Sequence, residues 1–259
     1  METAQSVRKE RGGADLVLGN NVLAHVPDLN DFLGGIAFLL KENGTATLEF
    51  PHLLKLIEEI QFDTIYHEHY SYLSLTALIP ALKRQNLRVY KVEEVNVHGG
   101  SLRIYCTGET SSLQEHESVQ KILAAEEKAG INDLENYGNF QGLVDNLCRD
   151  ATKFLIDAQA DGKQVVGYGA AAKGNTFLNY CGIKPYLMPY VCDLTPAKQG
   201  KLLPGTRIPV FDEDKLRETK PDYIFILPWN WRDEIAGRLE FTRDWGCKMV
   251  VAVPHLDVF

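Results

Sequence analysis

Positive charge is scarce: 27 lysines and arginines stand against 35 aspartates and glutamates, a net charge of −8. A surface that binds a phosphate backbone needs the opposite balance, so nucleic acid is not an expected partner. A small anionic substrate is still admissible, because a few local amides and cations suffice to hold one. Long apolar runs are missing too. Nothing approaches the ~18 consecutive apolar residues of a membrane span, and the amino terminus, METAQSVRKERGG, carries no hydrophobic signal-peptide segment. No membrane partner is expected, and a cytoplasmic location is. The five cysteines (Cys106, Cys148, Cys181, Cys192 and Cys247) form no CxxC pair. Neither a structural zinc site nor a disulfide framework is indicated, and buried reduced thiols are the expectation.

What is present is a balanced globular composition, 45% hydrophobic and 24% charged, in 259 residues. That length can hold two domains of ~100–150 residues. Up to about residue 107 strands and helices alternate. Asp15–Gly19 reads as a short buried strand, Leu29–Gly44 as a helix with Leu29, Phe32, Leu33, Ile36, Leu39 and Leu40 on one face, and Thr45–Phe50 as a strand stopped by Pro51. Two β-rich runs, LRVYKVEEV and SLRIYCT, follow and are joined by the turn His98-Gly99-Gly100. From about 111 to 161 the pattern is helical, in segments 112–130 and 133–162, and can pack against either neighbour. A βαβ rhythm then resumes with QVVGY, PYVCD, RIPVF, YIFILPW and KMVVAVP, and a helix around Trp231–Asp244. Apolar strands alternating with helices predict a parallel sheet covered on both faces.

Three motifs carry chemistry. Asp63-Thr64-Ile65-Tyr66-His67-Glu68-His69-Tyr70 sets six titratable side chains within eight positions. His-x-His on an extended segment fits a metal, a polar hydrogen-bonded loop is the bland alternative, and an acid–base site is the third reading. No further ligand cluster at metal spacing accompanies it, so no metal is expected. The second motif, Asn20 to Asp28 with His25 at its centre, lies just beyond a strand, where sheet enzymes place working groups. His25 is equally readable as a packing residue at a helix start. The third, Gly167-Tyr168-Gly169-Ala170-Ala171-Ala172-Lys173-Gly174-Asn175, follows a strand and opens a helix, the context of a phosphate-binding turn. Gly167, Gly169 and Ala172 satisfy G-x-G-x-x-G/A, with Asp193 at a suitable distance for a ribose hydroxyl. A tight turn that binds nothing is the alternative.

Taken in order, H-V-P-D, E-F-P, F-D-T-I-Y-H-E-H, H-G-G-S-L-R, G-Y-G-A-A-A-K-G-N-T, K-Q-G-K-L-L-P-G-T-R-I-P-V and P-W-N resemble the deoxysugar C-methyltransferases, over nearly the whole chain from about residue 14. Members of that family comprise a zinc-bearing amino-terminal module, a methyltransferase domain and a carboxy-terminal Rossmann-like domain. The resemblance therefore implies an α/β fold: the carboxy-terminal half of a class I methyltransferase sheet in 1–107, then a helical connector and a Rossmann-like domain in 108–259. The donor-binding glycine loop and the zinc cysteines would lie upstream of Met1.

The resemblance also implies a reaction. A base removes the proton beside the ketone of a nucleotide-linked 4-keto-6-deoxy sugar, and the enolate takes the methyl group of S-adenosylmethionine. By motif, His69 is the first choice of base and His25 its rival, with Tyr66 and Glu68 orienting the imidazole and stabilising the enolate oxygen. Substrate-binding roles fall to His67, His98, Gly99, Ser101, Arg103, Gly167, Gly169, Lys173, Gly174 and Asn175. Two rivals stand beside this reading. One is an NAD-dependent oxidoreductase, opposed by the mere 97 residues that follow Gly162. The other is an inactive truncated sugar-nucleotide-binding module.

Overall fold

The computed structural model describes all 259 residues, which fall into two compact units: Met1–Glu58 with His67–Gly138, and Glu59–Tyr66 with Asn139–Phe259. The fold is α/β, and no helix is long and apolar enough to cross a membrane.

The first unit holds α1 (Glu2–Arg11), β1 (Ala14–Asn20), α2 (Leu29–Leu39), β2 (Leu40–Pro51), α3 (Leu53–Glu58), α4 (Leu75–Arg84), β3 (Leu87–Val95), β4 (Ser101–Gly108) and α5 (Ser118–Lys128). Its sheet runs β1-β2-β4-β3, with β1 and β2 parallel and β4 antiparallel to both its neighbours. Leu48, Phe50, Leu102 and Ile104 of β2 and β4 meet Leu75, Leu78 and Leu82 of α4 in a dry core. Each such side chain contributes ~1.5–3 kcal/mol by leaving water.

Three expectations fail here. The strand at Asp15–Gly19 is not buried: β1 lies at the sheet edge, so Leu16 and Leu18 are 55% and 67% exposed. The helix of Leu29–Gly44 stops at Leu39, because Leu40 turns extended and its chain pairs with Ala14. The helical stretch after residue 108 is not one connector. Val119 and Ile122 of α5 are buried with the first unit's core, whereas the next helix belongs to the second unit. The boundary near 107 therefore lies within the first unit's compact core, which extends to Gly138.

In the second unit come a 3-10 turn (Phe62–Thr64), α6 (Phe140–Ala160), β5 (Val165–Tyr168), α7 (Ala172–Tyr180), β6 (Val191–Cys192), β7 (Val210–Phe211), α8 (Asp214–Thr219), β8 (Tyr223–Ile226), α9 (Arg232–Arg238), β9 (Lys248–Val251) and β10 (Asp257–Val258). The sheet order is β10-β9-β8-β5-β6-β7, parallel except for the edge strand β10. Alternate residues divide between two cores. Val165, Phe225 and Val250 pack with α6 and α7, and Val166, Ile224 and Met249 pack on the opposite face with Leu216 and Ile235. The chain winds outward from β5 through β6 and β7 on one side and from β8 through β9 on the other. That reversal leaves a crevice at the carboxyl ends of β5 and β8. The region around Trp231–Asp244 is split, α9 giving way to a 3-10 stretch over Glu240–Trp245.

Candidate active site

In the first unit, β1 ends at Asn20 and the chain turns at Asn21, a non-glycine residue in the left-handed region (φ 54°) whose N–H donates to Glu49. A 3-10 turn over Leu23–His25 follows, anchored by the buried Leu23 and Ala24. The carbonyl of Ala24 accepts from the N–H groups of Tyr70 and Ser71, at 2.8 and 3.3 Å. That clamp brings His25 to His69, 44 residues on, with ring centroids 4.8 Å apart. Tyr72 meets His69 edge-on at 6.1 Å.

His25 Nδ1 lies 2.9 Å from the main-chain oxygen of Glu68. A carbonyl can only accept, so Nδ1 carries the proton and Nε2 is left as an acceptor. Glu68 thus orients the His25 ring through its backbone oxygen. His67 and Glu68 are exposed, and His69 is half-buried. Tyr66 belongs to the second unit.

The remaining expected contacts of the first unit have inward duties. His98, Gly99 and Gly100 all take positive φ (56°, 91° and 103°), which closes the β3–β4 hairpin. Ser101 is buried and donates to the Val97 carbonyl at 3.1 Å. Arg103 sends Nε and one terminal nitrogen to Glu49 Oε2 at 3.0 and 2.8 Å, with Glu93 at 3.8 Å.

The second unit gathers a different set at its crevice. Gly169 turns with φ 89°, and a Cβ there would lie 2.5 Å from the Pro228 ring. Gly167 sits within β5, packed by Val191 and Met188, and Gly174 of α7 is packed by Leu227, so Gly174 serves close approach of α7 to the sheet. Ala171 caps α7 without a side-chain hydrogen bond, and the first internal bond runs from the Asn175 N–H to the Ala171 carbonyl. The Lys173 ammonium lies over the Trp229 ring, 4.7 Å from its centroid, and 3.4 Å from Asn230 Oδ1. Asp193 turns inward to accept from the N–H groups of Ala170 and Thr195, at 2.7 and 2.8 Å, with Lys198 at 3.2 Å. A carboxylate so engaged is not positioned for a ribose.

Asp63 carries the sharpest anomaly. It is completely buried. Its Oδ2 accepts from Trp229 Nε1 at 2.8 Å, and its Oδ1 has no partner. Burial pushes its carboxyl up from the ordinary 3.8 to about 6, while the charge of Lys173 and the bond from Trp229 pull the other way. The sequence signals for this cluster were present. Asp63 opens the proton-rich motif, and Pro-Trp-Asn stands directly beyond a parallel strand. No group of three or more His, Cys, Asp or Glu is placed to hold a metal ion.

Residues 96–254 match the C-methyltransferase C-terminal domain family, and residues 1–92 match a methyltransferase domain. The chain belongs to the C-methyltransferase family. It is 34% identical over 254 residues to the C-methyltransferase NovU of Streptomyces niveus, covering 98% of this chain and 60% of that protein. This C-methyltransferase chain thus spans about three fifths of its curated relative. Among solved structures, an O-methyltransferase family protein from Burkholderia thailandensis is 18% identical (41% of this chain, 33% of that one, TM-score 0.29). Magnesium protoporphyrin IX methyltransferase from Synechocystis PCC 6803 with bound SAH is 16% identical (37% and 45%, TM-score 0.29). Likenesses this partial do not bear on the C-methyltransferase assignment.

Proposed function

We propose that the chain performs the acceptor chemistry of an S-adenosylmethionine-dependent C-methylation of a nucleotide-linked 4-keto deoxysugar. The observation that carries this reading is the meeting of His25 and His69, with the tautomer of His25 fixed by the Glu68 carbonyl. His69 takes the proton from the carbon beside the ketone, and the enolate is the nucleophile. His25 clamps the loop that bears His69 and keeps its own Nε2 free to accept. A proton alpha to a ketone is far too weakly acidic for an unaided imidazole at neutral pH. Donors at the developing oxyanion must supply several kcal/mol.

S-adenosylmethionine supplies the methyl group when bound. At the carboxyl end of β1 a cavity of about 550 Å³ is lined by Val17, Leu18, Gly19, Val22 and Phe32. Its two carboxylates are already spent: Asp28 caps α2 and Asp31 pairs with the terminal amine. That lining does not fit the charged end of the donor, so donor binding is not assigned to it. Within the second unit, the amino end of α7 has no side-chain cap and carries Lys173, which supports an anion-binding role for that unit.

The reading is tested in the whole enzyme by exchange of the alpha proton in deuterated water without donor, followed by NMR on a deoxythymidine-diphosphate 4-keto-6-deoxy sugar. His69→Asn stops the exchange, and His25→Asn slows it. The opposite order would make His25 the base. Full exchange in both variants would remove the histidines from the mechanism.

A further inference from the structure

Tyr72 takes no part in the proton transfer described above, yet the backbone on both sides of it is tied down within the first unit. Before it, the Tyr70 and Ser71 N–H groups donate to the Ala24 carbonyl, at 2.8 and 3.3 Å. After it, the Leu73 carbonyl accepts from the Leu53 N–H at 2.9 Å, and Leu73 pairs with His52 as an isolated parallel bridge. Leu73 is buried in the core, and Ser74 caps α4, its Oγ accepting from the Ala77 N–H at 3.1 Å. A residue held between such ties carries its ring on a rigid support. His69 lies three positions earlier, ahead of these ties. Its half-buried imidazole meets the His25 ring at 4.8 Å and 54°, and the Tyr72 ring at 6.1 Å and 85°. Both separations are within the range where aromatic rings attract, and the edge-on arrangement is a preferred one. The outer torsion of a histidine side chain has a broad, shallow profile. Contact with a second ring nearly perpendicular to the imidazole restricts the rotation that the first leaves open.

We infer that Tyr72 is a positioning residue, whose ring holds the His69 imidazole in the orientation from which it takes the alpha proton of the keto sugar. The inference rests on the reading of His69 as the base. Proton abstraction depends steeply on the alignment of base and carbon, and a misplacement of about 1 Å can cost ~10²-fold in rate. Tyr72 acts through His69 rather than on the sugar, so its loss falls on the rate constant and leaves KM unchanged. The work is done by the face and edge of the ring, which phenylalanine also supplies. It sets orientation and not charge, so the pH dependence of the reaction keeps its position.

The test measures alpha-proton exchange in deuterated water without donor, in the whole enzyme, on the deoxythymidine-diphosphate 4-keto-6-deoxy sugar. Tyr72→Leu lowers the exchange rate constant by about 10- to 100-fold at unchanged KM and an unchanged pH midpoint. Tyr72→Phe exchanges like the wild type. A wild-type rate in Tyr72→Leu would overturn the inference, provided that His69→Asn still stops the exchange. An equal loss in Tyr72→Phe would also overturn it, because the hydroxyl would then be the working group. A raised KM in Tyr72→Leu at an unchanged rate constant would make Tyr72 a substrate contact and overturn its positioning role. Full exchange in His69→Asn would remove the base reading and the inference together. A further measurement needs no variant and stands if Tyr72→Leu fails to fold. In the wild-type chain, NMR cross-peaks connect the ring protons of His69 and Tyr72, and their absence would overturn the inference.

Discussion

The indole N–H of Trp229 donates to Oδ2 of Asp63 across 2.8 Å, joining residues 166 positions apart within the second unit. Because burial raises the carboxyl from 3.8 to about 6, the folded state prefers the protonated acid. The sign follows: this contribution to stability is complete below pH 3.8 and is lost as pH rises through about 6. A shift of about two units corresponds to ~3 kcal/mol. Chemical denaturation between pH 4 and pH 8 should show that decline in the wild type and a flat profile for Asp63→Asn. A decline of equal size in the variant would exclude Asp63 as its source.

Trp229→Phe keeps much of the ring packing and removes the donor. Both oxygens of Asp63 are then unbonded in a dry site, at a cost of ~1–3 kcal/mol. The Asp63 carboxyl should also titrate higher, since one of the influences that lowers it is gone. Urea unfolding and carboxyl NMR of the variant check the two effects separately.

A second buried acid behaves in the opposite way. Glu126 of α5 accepts from His52 Nε2 and the Leu75 N–H, both at 2.7 Å, from the Thr76 N–H at 2.8 Å, and from the Thr76 hydroxyl. Burial alone would raise its carboxyl, but these four donors outweigh it and hold the group below the ordinary value. A depressed acid stabilises above its unfolded value and loses that support as pH falls through the folded one. Glu126→Gln turns an amide NH2, itself a donor, toward part of these donors and should cost ~3–5 kcal/mol, the usual penalty for breaking a buried pair. A denaturation midpoint unchanged at pH 7 would show that α5 does not depend on this bond.

Leu18 stands 67% exposed on the unpaired edge strand β1. An apolar edge invites strand-to-strand association, which charge discourages. Leu18→Lys should lower concentration-dependent association in light scattering while changing stability by no more than ~0.5 kcal/mol. Equal association in both proteins would place the sticky surface elsewhere.

The sequence by itself determined the β/α alternation of residues 165–251, because strands such as Val165-Val166-Gly167-Tyr168 must bury both faces and so read as unbroken apolar runs. It also determined the two histidine motifs and the helix-opening glycine turn, whose residue types carry their chemistry whatever the fold. Tertiary structure decided the rest. Leu16 and Leu18 are as apolar as any core strand, and only the strand order leaves them at an edge. The helical pattern of α5 and α6 is alike in sequence, and only packing assigns Val119 to one core and Leu155 to the other. Arg103 and Asp193, polar and well spaced, looked available for ligand until the fold supplied Glu49 and the Ala170 amide as partners. Asp63 lies in the proton-rich motif, but its buried environment comes from Trp229 and Lys173, more than a hundred residues away. A local pattern fixes what a side chain can do, while its proton and its partners are set by the solvent and charge that distant segments exclude or supply.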